Sequence, residues 1–150
     1  MQKQQGFSLI ELLVVIGIIG ALTAIAIPQY QKYQDKAKVT AAIATLTNMR
    51  SVIEASIMEE GKFPENSDTI EINGESKTIE EALGIPDNVK LERDNEVEGK
   101  LSISVEGLPG DDGSDKVVLK RNEFGGWSCT HPAKLDVNGC EKEEGSGGNA

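Results

Sequence analysis

The chain has 150 residues, 27% of them charged, and a formal net charge of −10, a size that suits one small domain. The whole excess lies beyond Gly61: residues 1–61 hold five acids and five bases, residues 62–150 hold 20 acids and 10 bases. An acidic C-terminal part with 4% aromatic residues overall excludes a general nucleic-acid surface and a base-stacking platform. A single histidine, with no G-x-S-x-G, P-loop or H-E-x-x-H motif, leaves no catalytic constellation; the expectation is a non-enzyme with no cofactor.

The chain opens on a short polar stretch, Met1 to Gln5, followed by Gly6 and then 21 residues, Phe7 to Ile27, whose only charge is Glu11. A helical membrane crossing needs about 20 apolar residues. An unpaired carboxylate at depth costs about 2.5–3.5 kcal/mol, so an acid here needs a partner. An ordinary secretory signal cut at Ala24-Ile25-Ala26 fits poorly, because its apolar core would run to only about 7–15 residues. A plain signal anchor explains the span but not Glu11.

The run Gly6-Phe7-Ser8-Leu9-Ile10-Glu11 resembles the class III leader junction of type IV prepilins, and the likeness extends over roughly residues 1–60. It implies that a membrane prepilin peptidase cuts between Gly6 and Phe7 and N-methylates Phe7. It also implies that Glu11 pairs with the Phe7 amine of a neighbouring subunit during assembly. Two charges that are costly apart in hydrocarbon offset each other's desolvation when joined. Lys32, Lys36 and Lys38 follow the span and only Lys3 precedes it, so a literal positive-inside count puts the C-terminal part in the cytoplasm. The resemblance puts it in the periplasm.

Pro28 follows the apolar run, where a proline removes a backbone hydrogen bond and kinks a helix. The helical pattern continues, with Val39, Ile43, Leu46, Ile53 and Ile57 on one face. Gly61 and Pro64 mark its end. This predicts one long helix from about Phe7 to Glu60, bent near Pro28, with a path of about 80 Å. Gly17, Gly20 and the nearby alanines favour close approach between such helices.

Asn73-Gly74, between Thr69–Ile72 and Lys77–Ile79, is a two-residue hairpin signal, and Glu80 to Leu83 adds a helical turn. Four strand candidates follow: Val89–Glu92, Lys100–Glu106, Lys116–Arg121 and Glu123–Cys129, the last broken by Gly125-Gly126. Alternation with turns between predicts an antiparallel meander, covered by the helix face at 39–57. Trp127 is expected in the core or at a sheet edge.

Cys129 and Cys140 are the only cysteines. In an oxidising compartment they read as a disulfide, worth about 3 kcal/mol for a loop of this size, and the resemblance implies such a C-terminal loop. A zinc site from Cys129, His131 and Cys140 lacks a fourth ligand. Asp111, Asp112 and Asp115 lack the spacing of a calcium loop and read as a solvated turn. No metal is expected. The tail after Cys140 is polar.

The expected fold is α+β: a long N-terminal α-helix, half of it membrane-spanning, packed on a four-stranded antiparallel sheet, as in pilins. The expected organisation is a leader at 1–6, a transmembrane and filament-core helix half at 7–27, an amphipathic half at 28–61, and a head at 62–150 with a disulfide loop at 129–140. The resemblance implies a structural subunit of a type IV pilus of the IVa kind, polymerising through its N-terminal helix into surface filaments that serve adhesion, twitching motility, biofilm formation or DNA uptake. The alternatives are a pseudopilin of a type II secretion system and a minor pilin. The partners implied are other copies of the chain, the prepilin peptidase, the inner-membrane assembly machinery and a host or surface receptor. DNA contact, for instance at Lys134, stays open. The subunit would wait in the inner membrane, head in the periplasm, before export into the filament.

Overall fold

The computed structural model describes residues 6–108, 115–132 and 136–142. The calcium candidates Asp111 and Asp112, the loop residue Lys134, Lys3 and the tail beyond 142 lie outside them. The chain divides into two units, Met1–Gln34 and Asp35–Ala150.

A single helix, α1, covers Leu9–Glu60 and includes Pro28 without interruption. In the first unit its large apolar side chains are exposed: Leu9, Ile10, Ile16, Leu22 and Ile25 are all at least 63% exposed. Among the described residues this is the one helix long and apolar enough to cross a membrane. In the second unit α1 has a dry face of Val39, Ala42, Leu46, Ile53, Ser56 and Ile57. These positions recur at three, four and seven residues, as one face of a helix requires.

Against that face lies the sheet, formed by β3 (Val89–Arg93), β4 (Gly99–Ser104), β5 (Lys116–Arg121) and β6 (Trp127–His131), with each neighbouring pair antiparallel. A fifth, two-residue strand, β7 (Glu141–Lys142), joins β6 in parallel. Alternate residues face the helix. Leu91, Leu101, Leu119 and Cys129 stand in one row across the sheet, and Val89, Ile103 and Val117 in the next; the leucines and the valines are nearly solvent-free.

The fourth strand starts later than the sequence implies. Residues 123–126 form the β5–β6 turn instead. Gly125 has φ +82°, and the Asn122 Oδ1 atom accepts backbone N–H bonds from Phe124 (3.0 Å) and Gly126 (2.8 Å). Such a side-chain acceptor replaces ladder bonds and ends the strand.

Between helix and sheet the chain forms a separate hairpin, β1 (Thr69–Ile72) with β2 (Glu75–Thr78), and a short helix, α2 (Ile79–Leu83). Asn73 and Gly74 both take positive φ, 56° and 83°, which a tight hairpin of this kind demands. Thr78 caps α2, accepting from the Glu81 amide, and Gly84 closes it in the left-handed region at φ 65°. The segment before β1 runs along the outer edge of β3. There Asn66 Oδ1 accepts from the Leu91 amide (2.6 Å), and the Phe63 amide donates to the Glu96 carbonyl (2.6 Å). A sheet edge covered in this way is withheld from other strands.

Candidate functional site: the helix start and the disulfide-closed head

Phe7 precedes α1 and is 83% exposed. Ser8 and Glu11 then engage each other across the first turn: the Ser8 amide donates to Glu11 Oε2 (3.2 Å) and the Glu11 amide donates to Ser8 Oγ (3.3 Å). This reciprocal arrangement is a capping box. It satisfies two of the otherwise orphaned amides at a helix start and folds the Glu11 carboxylate back toward the N-terminal end. The S-x-x-E spacing that signals it stands in the sequence, in the same run that carries Gly6 and Phe7. Gly6, Phe7 and Glu11 therefore come together at one helix end, with the apolar stretch beyond them wholly exposed. Pro28 sits farther along α1.

In the second unit the core-facing row nearest the C-terminal end of α1 consists of Arg93, Gly99, Arg121 and Trp127. It carries two arginines where the row beside it is apolar, and each of them meets an acid. Arg121 reaches Glu54 on α1 through two bonds, Nε to Oε1 (2.7 Å) and Nη2 to Oε2 (3.2 Å), and donates to the Val97 carbonyl (2.7 Å). The Trp127 Nε1 donates to the same Glu54 Oε1 (2.8 Å). The Arg121 fork holds the Glu54 carboxyl below its ordinary value; partial burial opposes this, and the Trp127 bond adds to it. Arg93 bonds to Asp68 and to the Phe63 carbonyl. The Phe63 ring lies over Gly99, where an added Cβ would stand 2.4 Å from the ring and 2.6 Å from the Glu92 carbonyl oxygen. Sequence reading placed Trp127 in or beside the core but gave no hint of Glu54 as its partner, because nothing local links positions 54, 121 and 127.

Cys129 and Cys140 are joined, with their Cα atoms 4.7 Å apart. The crosslink is followed by Thr130 opposite Glu141 and His131 opposite Lys142, so it sets the register of the parallel β6–β7 pair. With both sulfurs bonded, the zinc arrangement with His131 has no thiolates to offer. Among the described residues no three His, Cys, Asp or Glu side chains gather into a metal-binding group.

Two family models match this chain. The prokaryotic N-terminal methylation motif matches residues 1–27, the stretch that carries Gly6, Phe7 and Glu11. The pilin (bacterial filament) model matches residues 36–141. Among curated proteins, a fimbrial protein of Pseudomonas aeruginosa is 48% identical over 59 residues, covering 39% of this chain and 38% of that protein. The prepilin peptidase-dependent protein D of Escherichia coli K12 is 51% identical over 61 residues, covering 41% and 42%. The type IV major alpha-pilin of Moraxella bovis is 41% identical over 85 residues, covering 57% and 49%. The chain thus spans less than half the length of each of these relatives. The pilin model, however, takes in the dry half of α1 and the sheet as far as the first residue of β7, and on that match the chain belongs to the pilin family of bacterial filament proteins, which is not a family of enzymes.

Proposed function

We propose that this chain is a subunit of a type IV pilus. The observation that carries the reading is the first half of α1. An apolar helical segment with no side chain buried on its own chain needs lipid or other copies of itself to cover it. Both covers belong to one life history. The subunit waits in the inner membrane with residues 7–27 as anchor and its head in the periplasm. It then moves into a filament whose core is made of such helices. Residues 1–6 act as the leader, cut between Gly6 and Phe7 by a prepilin peptidase that also methylates Phe7. Residues 28–61 form the amphipathic half of the helix, and residues 62–150 the head.

Glu11 is the assembly residue in this reading. The Phe7 amine released by cleavage, on a neighbouring copy, is the cation that completes the pair. The filament then serves adhesion, twitching motility, biofilm formation or DNA uptake, driven by an inner-membrane assembly machine, with a surface or host receptor as the outside partner. Electron microscopy of cells expressing the full chain tests the reading. Surface filaments that vanish when the gene is deleted support it. A chain held in the inner membrane with no filament would refute it.

A further inference from the structure

The stretch that follows Pro28, Gln29-Tyr30-Gln31-Lys32-Tyr33-Gln34, holds both tyrosines of the chain, with a lysine between them and glutamines at the other places. It continues α1 directly from the apolar run. Tyr30 is 65% and Tyr33 72% exposed, and Gln29, Gln31, Lys32 and Gln34 are exposed as well. Lys32 makes no ion pair among the described residues. Lys36 and Lys38 belong to the second unit, where the Lys38 Nζ atom donates to the Glu106 carbonyl (3.4 Å).

With residues 7–27 as the anchor, helix rise fixes the depth of this band. Phe7 to Ile27 spans about 30 Å, the thickness of the hydrocarbon core of a bilayer. The headgroup layer adds about 5–7 Å on each side. Counted from Ile27, the backbone of Tyr30 stands about 4.5 Å beyond the hydrocarbon, that of Lys32 about 7.5 Å and that of Tyr33 about 9 Å. Side chains of a helix lean toward its N-terminal end, here back toward the bilayer. The Lys32 ammonium and the Tyr33 ring therefore reach into the layer that their backbone has just left. Tyrosine favours that depth, being apolar in the ring and polar at the tip, and a lysine there keeps its charge among the phosphates. Tyr30 and Tyr33 share one face of the helix at i and i+3 spacing, while Lys32 stands on another, so the band meets lipid on more than one side.

We propose that Tyr30, Lys32 and Tyr33 bind the headgroups of anionic phospholipid on the side of the membrane that faces the head. The Lys32 ammonium pairs with lipid phosphate, and the tyrosine hydroxyls donate to phosphate or ester oxygens. The partner is lipid because the band continues without a break from a segment that lipid already covers. Anionic lipid is favoured because a zwitterionic headgroup brings its own cation to the phosphate and gains less from Lys32. The whole net charge of −10 lies beyond Gly61, so the head repels an anionic surface and the attraction falls to this band. The positive-inside count leaves a lysine on this side of the span without a purpose; a grip on headgroups gives it one. The inference rests on the reading of residues 7–27 as the membrane anchor of a pilus subunit. It adds what holds that subunit at its depth before assembly.

The test places the full chain in nanodiscs that hold equal amounts of phosphatidylglycerol and phosphatidylcholine. Native mass spectrometry then reads which lipid stays bound to the released chain. The expected result is retention of phosphatidylglycerol over phosphatidylcholine by about fivefold, the factor that one lysine near an anionic surface supplies. K32Q should erase that preference, and K32R, which keeps the charge, should retain it. K90Q/K116Q, which removes two exposed cations of the head, should leave it unchanged. Y30F/Y33F should lower the retention of both lipids alike. Equal retention of the two lipids by the native chain overturns the inference. So does a preference that survives in K32Q, or one that disappears in K90Q/K116Q. If the chain does not insert into the nanodiscs, the membrane anchor falls and the pilus reading with it. If it inserts and shows no preference, this inference alone falls.

Discussion

Replacing Glu54 by alanine removes the hub between helix and sheet. One carboxylate accepts three bonds, two from Arg121 and one from Trp127. Hydrogen bonds to charged groups contribute about 1.5–3 kcal/mol each when buried, but the Glu54 side chain is 36% exposed while that of Arg121 is 10% exposed. Water therefore replaces part of what the carboxylate supplies, and Arg121 keeps its bond to the Val97 carbonyl. The net expected loss is about 2–3 kcal/mol, a fall in Tm of roughly 6–15 °C for a unit of this size. Urea and thermal unfolding of the full chain in detergent, followed by circular dichroism and by the fluorescence of the sole tryptophan, measure it. The pH dependence carries the sign. The folded-state value of Glu54 lies below its ordinary 4.5, so its contribution is present in full above 4.5 and disappears as the pH falls through the lowered value. The gap between the native chain and Glu54→Ala should accordingly be widest at neutral pH and close in acid. A loss under about 1 kcal/mol, the range of an exposed ion pair, or a gap independent of pH, would refute the reasoning.

Gly99→Ala places a methyl group against the fully buried Phe63 ring and the Glu92 backbone. Overpacking of this kind costs about 1–3 kcal/mol, read as a lower urea midpoint, and an unchanged midpoint would show that the ring yields freely. Replacing both Cys129 and Cys140 by serine should cost about 3 kcal/mol and destabilise β7 first, which hydrogen exchange at Glu141 and Lys142 would report; unchanged protection there counts against the register argument. Glu11→Ala should abolish or strongly reduce surface filaments while leaving the subunit in the membrane fraction, and normal piliation of that variant would remove Glu11 from assembly.

What the sequence made legible was whatever is written locally. The helix and its dry face followed from spacing at 39–57, and the observed start at Leu9 is close to the expected one. The hairpin followed from Asn73-Gly74, and three of the four strands from alternation. What stayed hidden depends on contacts across the chain. Gly99 reads as an ordinary strand glycine until Phe63, 36 positions earlier in the chain, is seen lying on it. Arg121 alternates into the core, where an arginine is unexpected, because a carboxylate on α1 waits there. β7 is too short to show a period, and it pairs with β6 directly after the disulfide. Lys90, Lys100, Lys116 and Lys120 of the outer sheet face are scattered along 31 residues of an acidic chain, and only strand register gathers them. At the helix start Ser8 and Glu11 form a capping box whose signature, S-x-x-E, is local.

Cleavage after Gly6 would make Phe7 the first residue of a filament subunit. Intact mass measurement with N-terminal sequencing, on protein sheared from the cell surface, tests it most directly. The expected chain begins at N-methyl-Phe7 and carries the closed Cys129–Cys140 bridge. A chain beginning at Ile27, after cleavage at Ala24-Ile25-Ala26, would contradict it and leave a secreted domain without a filament helix.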